Sequence, residues 1–176
     1  NYLYSRGVDP YKLKNVFPIG YDSNSSSAIF YVRDLKGNYV GSKARSVQGK
    51  RFANSTGAKK STYLYGAYEL LQSAWQPHDP VWICESEIDA LTVWSRGGYA
   101  VAIGGSHISR IQLNILTQLG VRRVIDGLDK DEAGREGWKN FCTYVKGIST
   151  YNTKYPVNKK DINDLTDKEF FAIKIY

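Results

Sequence analysis

Cysteine is scarce in this sequence, and its scarcity excludes two kinds of structural support. Cys84 and Cys142 are the only cysteines among 176 residues, and neither belongs to a CxxC pair or to a cluster of Cys and His. Two isolated cysteines are too few for a structural zinc site, and they do not predict a disulfide framework. We therefore expect a reduced, intracellular protein, with Cys84 as a small residue in the core.

Long apolar runs are also lacking. No stretch approaches the roughly 20 residues of a membrane-spanning helix, and the first residues do not resemble a signal peptide. Hydrophobic residues nevertheless make up 42% of the chain, which is enough for the core of one ordinary domain, with or without an appendage. Because the chain begins with Asn rather than Met, we expect it to be a fragment of a longer protein.

Positive charge is present in excess and is concentrated in one segment. The formal net charge is +7, and residues 33–60 include eight basic residues and one acidic residue. The basic residues are Arg33, Lys36, Lys43, Arg45, Lys50, Arg51, Lys59 and Lys60. Such a segment indicates a polyanionic partner, although a solvated basic surface is the alternative explanation. Tyr39, in the same segment, could stack on bases, but packing in the core is the expectation.

The pattern of apolar residues changes at residues 76–80, a connector with two prolines. Before the connector, two runs rich in aromatic and β-branched residues flank Lys36-Gly37-Asn38, which predicts a β-hairpin. After it, strand-like and helix-like runs alternate with a repeat of about 20–25 residues. Repeated βα units predict a parallel sheet with helices on its faces, in which ligands bind at the carboxyl ends of the strands.

Carboxylates follow two of the predicted strands. Glu85 comes directly after the apolar run VWIC, and Asp89 is one helical turn further on, so both side chains can face one crevice. Asp129 and Asp131 follow the run VRRVIDGL. Like charges this close repel each other, so a cation is expected to compensate them. Hard oxygen ligands suit Mg²⁺ or Mn²⁺ far better than zinc.

Each acidic motif alone has an ordinary structural explanation. A Glu at the start of a helix commonly stabilises the helix dipole, and Asp-x-Asp is common in turns. Their joint placement at the ends of strands in successive βα units is much less expected by chance. The combination, rather than either motif, therefore predicts a metal site.

The two motifs together resemble those of the Toprim domain, which DnaG-type primases, topoisomerases and several nucleases share. The glutamate motif is ICESEIDAL, residues 83–91, and the Asp-x-Asp motif is LDKDEAGR, residues 128–135. Ser86 stands where the family has Gly after the glutamate. The resemblance implies an α/β fold with a central, mostly parallel sheet flanked by helices.

The flanking sequence is similar to primases in particular. Residues 2–21 resemble the opening of the primase catalytic core, and residues 28–70 resemble the basic subdomain that precedes the primase Toprim domain. The element NKKDINDL, residues 158–165, resembles the primase KDPNDL and would add Asp161 to the metal site, with Ile162 in place of the proline.

The resemblance also implies a division of the chain. A basic α+β subdomain would occupy residues 1–78 and the Toprim domain residues 79–165, and residues 166–176 would start a truncated helical tail. The wording EIDALTV is similar to the primase–helicases of tailed phages and mobile elements. This similarity favours a primase of phage or mobile-element type that acts in the cytoplasm of a bacterial host.

In a primase, the motif residues would synthesise short RNA primers on single-stranded DNA. Asp129, Asp131 and Asp161 would bind the Mg²⁺ or Mn²⁺ ions that carry the incoming nucleoside triphosphate. Glu85 would coordinate a metal or assist proton transfer. Asp89 would support Glu85, either as a further metal ligand or by holding the ligands in position.

The same resemblance implies positions for binding nucleotide or template, and further partners. The positions are Arg45, Lys50, Arg51, Asn54 and Lys60. A replicative helicase and a zinc-binding domain, neither of them within this sequence, would be the protein partners, and no membrane is implied.

Two alternatives stay open. A Toprim nuclease uses the same acids and metals to cut phosphodiesters, and an inactive Toprim module would only bind nucleic acid, with Ser86 as the one feature in its favour. A topoisomerase is disfavoured because the sequence has no room for a separate tyrosine-bearing domain.

Overall fold

A computed structural model of the protein describes residues 2–49, 52–54 and 59–176, with side chains for residues 2–49 and 59–176. The helices of this part are α1 (Tyr2–Ser5), α2 (Pro10–Leu13), α3 (Ala67–Gln72), α4 (Glu87–Ser95), α5 (Arg110–Leu119), α6 (Glu132–Tyr144) and α7 (Asp167–Phe171). The strands are β1 (Ile19–Asp22), β2 (Ser27–Arg33), β3 (Tyr39–Ser46), β4 (Phe52–Asn54), β5 (Val81–Cys84), β6 (Tyr99–Ala102), β7 (Arg123–Gly127), β8 (Ser149–Tyr151), β9 (Thr153–Lys154) and β10 (Lys174–Ile175).

The first half of the chain forms an antiparallel sheet in the order β1-β2-β3-β4. The predicted hairpin is confirmed as the β2–β3 pair. At its turn, a carboxylate oxygen of Asp34 accepts the backbone N–H groups of Lys36 and Asn38 at 2.9 Å each. Gly37 adopts a φ of 87° there, a value that residues with a side chain rarely adopt. We call β1–β4 the antiparallel sheet.

The second half forms a four-stranded sheet in the order β6-β5-β7-β8, and all of its pairs are parallel. This arrangement confirms the predicted βα units, and we call it the parallel sheet. All four residues of β5 are buried, because helices cover both faces of a parallel sheet. Cys84 has no exposed surface, as expected for a small core residue.

Aromatic side chains join the two halves. The Phe17 ring lies 5.3 Å from that of Trp94 in α4 and 5.4 Å from that of Tyr65, measured between centroids. Tyr65 also exchanges backbone hydrogen bonds of 3.1 and 2.9 Å with Ala102, at the edge of the parallel sheet. The prediction that Tyr39 packs in the core is wrong. Its side chain is 65% exposed, and its ring lies 6.0 Å from that of the exposed Tyr31, measured between centroids.

One ion pair also connects the two halves. The ammonium of Lys43 in β3 lies 2.8 Å from the carboxylate of Glu87 at the start of α4, and both side chains are largely buried. The pair therefore fixes the antiparallel sheet against the helix that follows Glu85.

The last residues pack against the parallel sheet. α7 begins with a capping box of Thr166 and Glu169, and its Phe170 ring stacks on Trp82 at 5.4 Å. β10 then pairs with β9 in antiparallel orientation. No helix in the described part of the chain is long and apolar enough to cross a membrane.

Candidate metal and nucleotide site

The acidic motifs meet at one edge of the parallel sheet. β5 and β7 are neighbours, with Cys84 opposite Gly127 at their carboxyl ends. Glu85 is the next residue after β5, and Asp129 follows β7 by two residues. The register therefore brings both motifs to the same crevice, as the sequence predicts.

The carboxylates at this edge influence each other. Burial raises the pKa of Glu85, and the charges of Asp129 and Asp131 raise it further. Burial likewise raises the pKa of Asp129, to which the charge of Asp161 contributes. Acids that raise each other's pKa in this way favour a cation nearby, because a cation relieves the repulsion between the carboxylates.

Lys160 supplies such a cation within the chain. Its ammonium lies 3.4 Å from a carboxylate oxygen of Asp129 and 3.0 Å from one of Asp131. A hydrogen bond to Asp131 and the charge of Asp129 raise the pKa of Lys160. The side chain is 57% exposed, so it can leave this position without disturbing the core.

The two carboxylate oxygens of Asp131 have different partners. One oxygen accepts the backbone N–H of Gly134 at 3.0 Å and so caps the start of α6, while the other faces Lys160. The hydrogen bond from Gly134, followed by that from Lys160, lowers the pKa of Asp131. A Cβ atom at Gly134 would overlap the backbone carbonyl of Asp129, so only glycine permits this close approach.

Asp161 reaches the same edge from the far end of the sequence. The backbone N–H of Lys130 donates to the carbonyl of Lys160 at 2.7 Å, so this segment lies along the Asp-x-Asp loop. The Asp161 side chain accepts the N–H of Asp164 at 3.0 Å and caps a short 3₁₀ turn, Ile162–Asp164.

Asp89 is buried behind these groups rather than exposed in the crevice. One of its oxygens accepts the Ser86 hydroxyl at 2.5 Å, and the other accepts the side-chain amide of Asn163. Burial raises the pKa of Asp89 to about 7, against the effect of the Ser86 hydrogen bond and with help from the charges of Asp161 and Asp129. Asp89 thus connects α4 to the segment that carries Asp161.

Ser86 has a role of its own in this arrangement. Its hydroxyl accepts the backbone N–H of Asp89 at 3.3 Å and caps α4. Its φ of −117° and ψ of 161° are ordinary extended values, which do not require the family's glycine. Serine at this position is therefore compatible with an intact site.

Asp126 and Lys130 form an ion pair that sequence reasoning missed. Their side chains are 10% and 19% exposed, and the Lys130 ammonium also lies 4.7 Å from the centre of the Tyr155 ring. Burial raises the pKa of Asp126 and lowers that of Lys130. The pair therefore anchors the loop of Asp129, Lys130 and Asp131 to β7. An acid inside an apolar run, four residues before a lysine, was the available signal.

Lys60 lies beside the glycine turn, Gly104-Gly105, that follows β6. A Cβ atom at Gly105 would be 3.2 Å from its ammonium, so the side chain passes directly over the glycine turn. The side-chain amide of Gln112 holds the backbone here, because it donates at 2.9 Å to the carbonyls of Lys60, Tyr63 and Ile103.

The other predicted basic positions differ in how far the structure describes them. Arg45 is opposite Ala28 in the antiparallel sheet, on the face that also carries Lys43. Lys50 and Arg51 lie outside the described residues. Asn54 belongs to β4, opposite Lys43, and its side chain also lies outside the description.

The donor set suits a hard divalent cation. It consists of carboxylate oxygens, and the Lys160 ammonium demonstrates that Asp129 and Asp131 hold positive charge between them. Among the described residues, no three Asp, Glu, His or Cys side chains stand close enough together to enclose a metal ion in the present arrangement. For a metal to bind there, the carboxylates would have to draw together and Lys160 would have to leave Asp129 and Asp131.

Residues 82–166 match the family model described as Toprim-like. No curated protein sequence matches the chain. The sequence match therefore covers the parallel sheet and its acidic motifs and not the antiparallel sheet.

Three solved structures extend the likeness to nearly the whole chain. The primase fragment of the bacteriophage T7 primase-helicase protein has a TM-score of 0.76 at 23% identity, covering 96% of this chain and 71% of its own. A DnaG primase catalytic domain bound to ssDNA has a TM-score of 0.73 at 21% identity, with coverages of 97% and 68%. The zinc-binding and RNA polymerase domains of the Aquifex aeolicus primase have a TM-score of 0.74 at 18% identity, with coverages of 99% and 55%.

These comparisons confirm the predicted Toprim-like α/β fold, and the likeness in fold to the three primase structures extends over the antiparallel sheet as well. The chain spans 55–71% of the length of the three structures. A phage or mobile-element origin stays a prediction.

Proposed function

We propose that this chain, which has the Toprim-containing fold of primase catalytic cores, synthesises short RNA primers on single-stranded DNA by metal-dependent nucleotidyl transfer. The observation that carries the proposal is the convergence of Glu85, Asp129 and Asp131 at the carboxyl ends of β5 and β7, around a resident positive charge. The antiparallel sheet, with its basic face, packs against the same region through Lys43 and Glu87.

Asp129, Asp131 and Asp161 would hold Mg²⁺ or Mn²⁺, and a bound divalent ion would neutralise the triphosphate and the developing charge of the attacking oxygen. Lys160 would leave the aspartates when the metal binds. Because its side chain is largely exposed, its ammonium could then contact a phosphate of the nucleotide.

Glu85 would act at the reacting end of the crevice, either as a further metal ligand or as the acceptor of the proton from the primer 3′-hydroxyl. Asp89 would act indirectly. Through its hydrogen bond from Asn163 it would keep the segment of Asp161 in place, so we assign it a positioning role.

The basic residues would hold the polyanions. Lys60, over the glycine turn beside β5, would face the triphosphate, and Arg45 would contact the template backbone. Lys50, Arg51 and Asn54 would extend the same surface. We also propose residues 1–78 as the basic subdomain, residues 79–165 as the Toprim domain, and residues 166–176 as the start of a tail.

The proposed partners are a single-stranded DNA template, nucleoside triphosphates, a replicative helicase and a zinc-binding domain. Three structures of the same fold support this set. One is bound to ssDNA, one is the primase fragment of a primase-helicase protein, and one has a zinc-binding domain beside an RNA polymerase domain. The proposed location is the bacterial cytoplasm.

Extension of an annealed RNA primer on single-stranded DNA, with labelled nucleotides and Mn²⁺, tests the proposal. An annealed primer avoids the initiation step, which the zinc-binding domain would assist. The wild-type chain should lengthen the primer, and Asp129→Asn should abolish extension while its thermal unfolding stays normal. Glu136→Gln, which removes an exposed acid of α6 that is not among the predicted metal ligands, is the matched control.

Two outcomes would contradict the proposal. Metal-dependent shortening of the primer would indicate a Toprim nuclease. Binding of the oligonucleotide with no change in its length, under conditions where a solved primase core extends it, would indicate a module that only binds nucleic acid.

A further inference from the structure

A groove of about 610 Å³ lies on the antiparallel sheet beside α1 and α2. Tyr2, Tyr4, Tyr11 and Tyr21 line it, together with Lys14 and Val47. Three of its tyrosines are far more exposed than core residues, at 47% for Tyr4, 72% for Tyr11 and 62% for Tyr21. Aromatic rings gathered in one exposed groove are a common feature of binding sites.

Hydrogen bonds anchor the backbone of α2, which carries Tyr11 at the groove. The Tyr4 and Tyr11 rings are 6.3 Å apart between centroids. Asp9 caps α2 by accepting the N–H of Tyr11 at 3.0 Å, and its own N–H donates to the Ser95 hydroxyl of α4 at 2.9 Å. α2 therefore presents Tyr11 from a helix anchored to the domain that carries the metal site.

Strand register connects the groove to the proposed template surface. Tyr21 is opposite Ala28, and Ala28 is opposite Arg45, so the three residues form one row on one face of the sheet. Since neighbouring strands lie about 4.8 Å apart, this row runs roughly 10 Å from groove to arginine. Lys43, on the same face, contacts Glu87 at the start of α4.

The charges beside the groove suit a polyanion. Lys14 lines the groove itself, and Arg45 ends the row across the sheet. Of the nearby acids, Asp22 accepts the Ser25 hydroxyl at 2.6 Å, and Asp9 caps α2 and also hydrogen-bonds to Tyr4 at the groove. Exposed aromatic rings beside cations are the combination that binds single-stranded nucleic acid through base stacking.

We propose that this tyrosine groove stacks unpaired bases of a single-stranded nucleic acid, with Lys14 next to its phosphates. That this strand is the template, continuing from Arg45, rests on the proposed function. Base stacking in the groove does not depend on it. The proposed occupant is a nucleic acid strand rather than a protein segment, because the groove combines exposed rings, on which bases can stack, with Lys14 inside it and Arg45 two strands away.

The test compares two labelled oligodeoxynucleotides of about 16 nucleotides, one of thymidines and one abasic, by fluorescence anisotropy in EDTA. The abasic strand keeps the phosphates and lacks the bases. Wild-type protein should bind the thymidine strand more tightly. Tyr11→Ala and Tyr21→Ala should each weaken thymidine binding by at least about fivefold and leave abasic binding unchanged.

Three further variants separate stacking from other effects. Tyr11→Phe keeps the ring and should bind as the wild type does. Lys14→Ala should weaken binding of both strands alike, because it removes a phosphate contact. Tyr144→Ala, which removes a 69%-exposed tyrosine at the end of α6, should change neither affinity.

The outcomes distinguish this inference from the proposed function. Unchanged thymidine binding by Tyr11→Ala and Tyr21→Ala, or equal losses for both strands, would overturn the stacking proposal even if the wild-type chain extends primers. A base-dependent loss in a chain that does not extend primers would support the groove and contradict the primase assignment.

Discussion

The two sheets of this protein expose their polar chemistry in different ways. In the parallel sheet β5, β6 and β7 are almost entirely buried, so functional side chains emerge where these strands end, as Glu85 and Asp129 do. In the antiparallel sheet they stand along a face, as Lys43 and Arg45 do at alternate positions of β3. A strand end concentrates charge at one point and suits a metal ion. A face spreads charge over several ångströms and suits a polymer.

Substitution of Lys130 and Lys160 tests how burial changes what a lysine–aspartate pair contributes to the free energy of unfolding. Lys130→Met should lower the free energy of unfolding by about 3 kcal/mol, because it leaves Asp126 buried without its partner. Lys160→Met, which removes the same charge from a 57%-exposed position, should cost less than about 1 kcal/mol. Urea unfolding measures both. Equal losses would mean that the Asp126–Lys130 pair does not anchor the loop.

Salt dependence tests the role of the antiparallel face. Affinity for single-stranded DNA should fall steeply between low and high salt, and Arg45→Ala should reduce the slope of log K against log salt by about 0.7 for one lost phosphate contact. Binding titrations at several salt concentrations give the slope. Lys146→Ala, at an exposed position after α6, is the matched control and should keep the wild-type slope. A slope that Arg45→Ala does not alter would remove Arg45 from the template surface.

Lys160 provides a finer test of the metal assignment. Its ammonium competes with a metal for Asp129 and Asp131, so Lys160→Met should bind Mn²⁺ more tightly, by up to about fivefold. Electron paramagnetic resonance of free Mn²⁺ during a titration gives the affinity. Lys159→Met is the control, because the Lys159 ammonium bonds to the Asp164 carbonyl and not to the two aspartates. Weaker Mn²⁺ binding by Lys160→Met would show that the lysine supports the metal instead.

Ser86 should have the smallest effect. Ser86→Ala removes the cap of α4 and should lower the free energy of unfolding by about 1 kcal/mol, whereas Ser86→Gly should cost only a few tenths. Thermal unfolding compares the two variants. Loss of primer extension in Ser86→Gly would contradict a purely structural role for this hydroxyl.

The strand-end motifs were predictable because their information is local. A buried strand followed at once by an acid is visible in a few residues, and the parallel register then brings Glu85 and Asp129 together without further assumptions. Asp161 was predictable only through family resemblance, since nothing in its own segment indicates that it returns to the end of β7.

Other parts of the site depend on contacts that a linear pattern does not contain. Lys160 and Asn163 reach Asp129 and Asp89 from far along the chain. The pairing of Lys43 with Glu87 depends on how the two sheets dock. Tyr39 was misjudged because a register shift between Val32 and Arg33 interrupts the pairing at the start of β3, where the Tyr39 side chain is 65% exposed.

Mn²⁺ binding by the wild-type chain and by Asp129→Asn, measured side by side, tests the central claim most directly. If the strand ends form a metal site, the wild-type chain depletes free Mn²⁺ in a titration. Asp129→Asn then fails to do so while remaining folded and still binding single-stranded DNA. Equal depletion of Mn²⁺ by the two proteins would contradict the account, because the carboxylates at the ends of β5 and β7 would then not be what holds the metal.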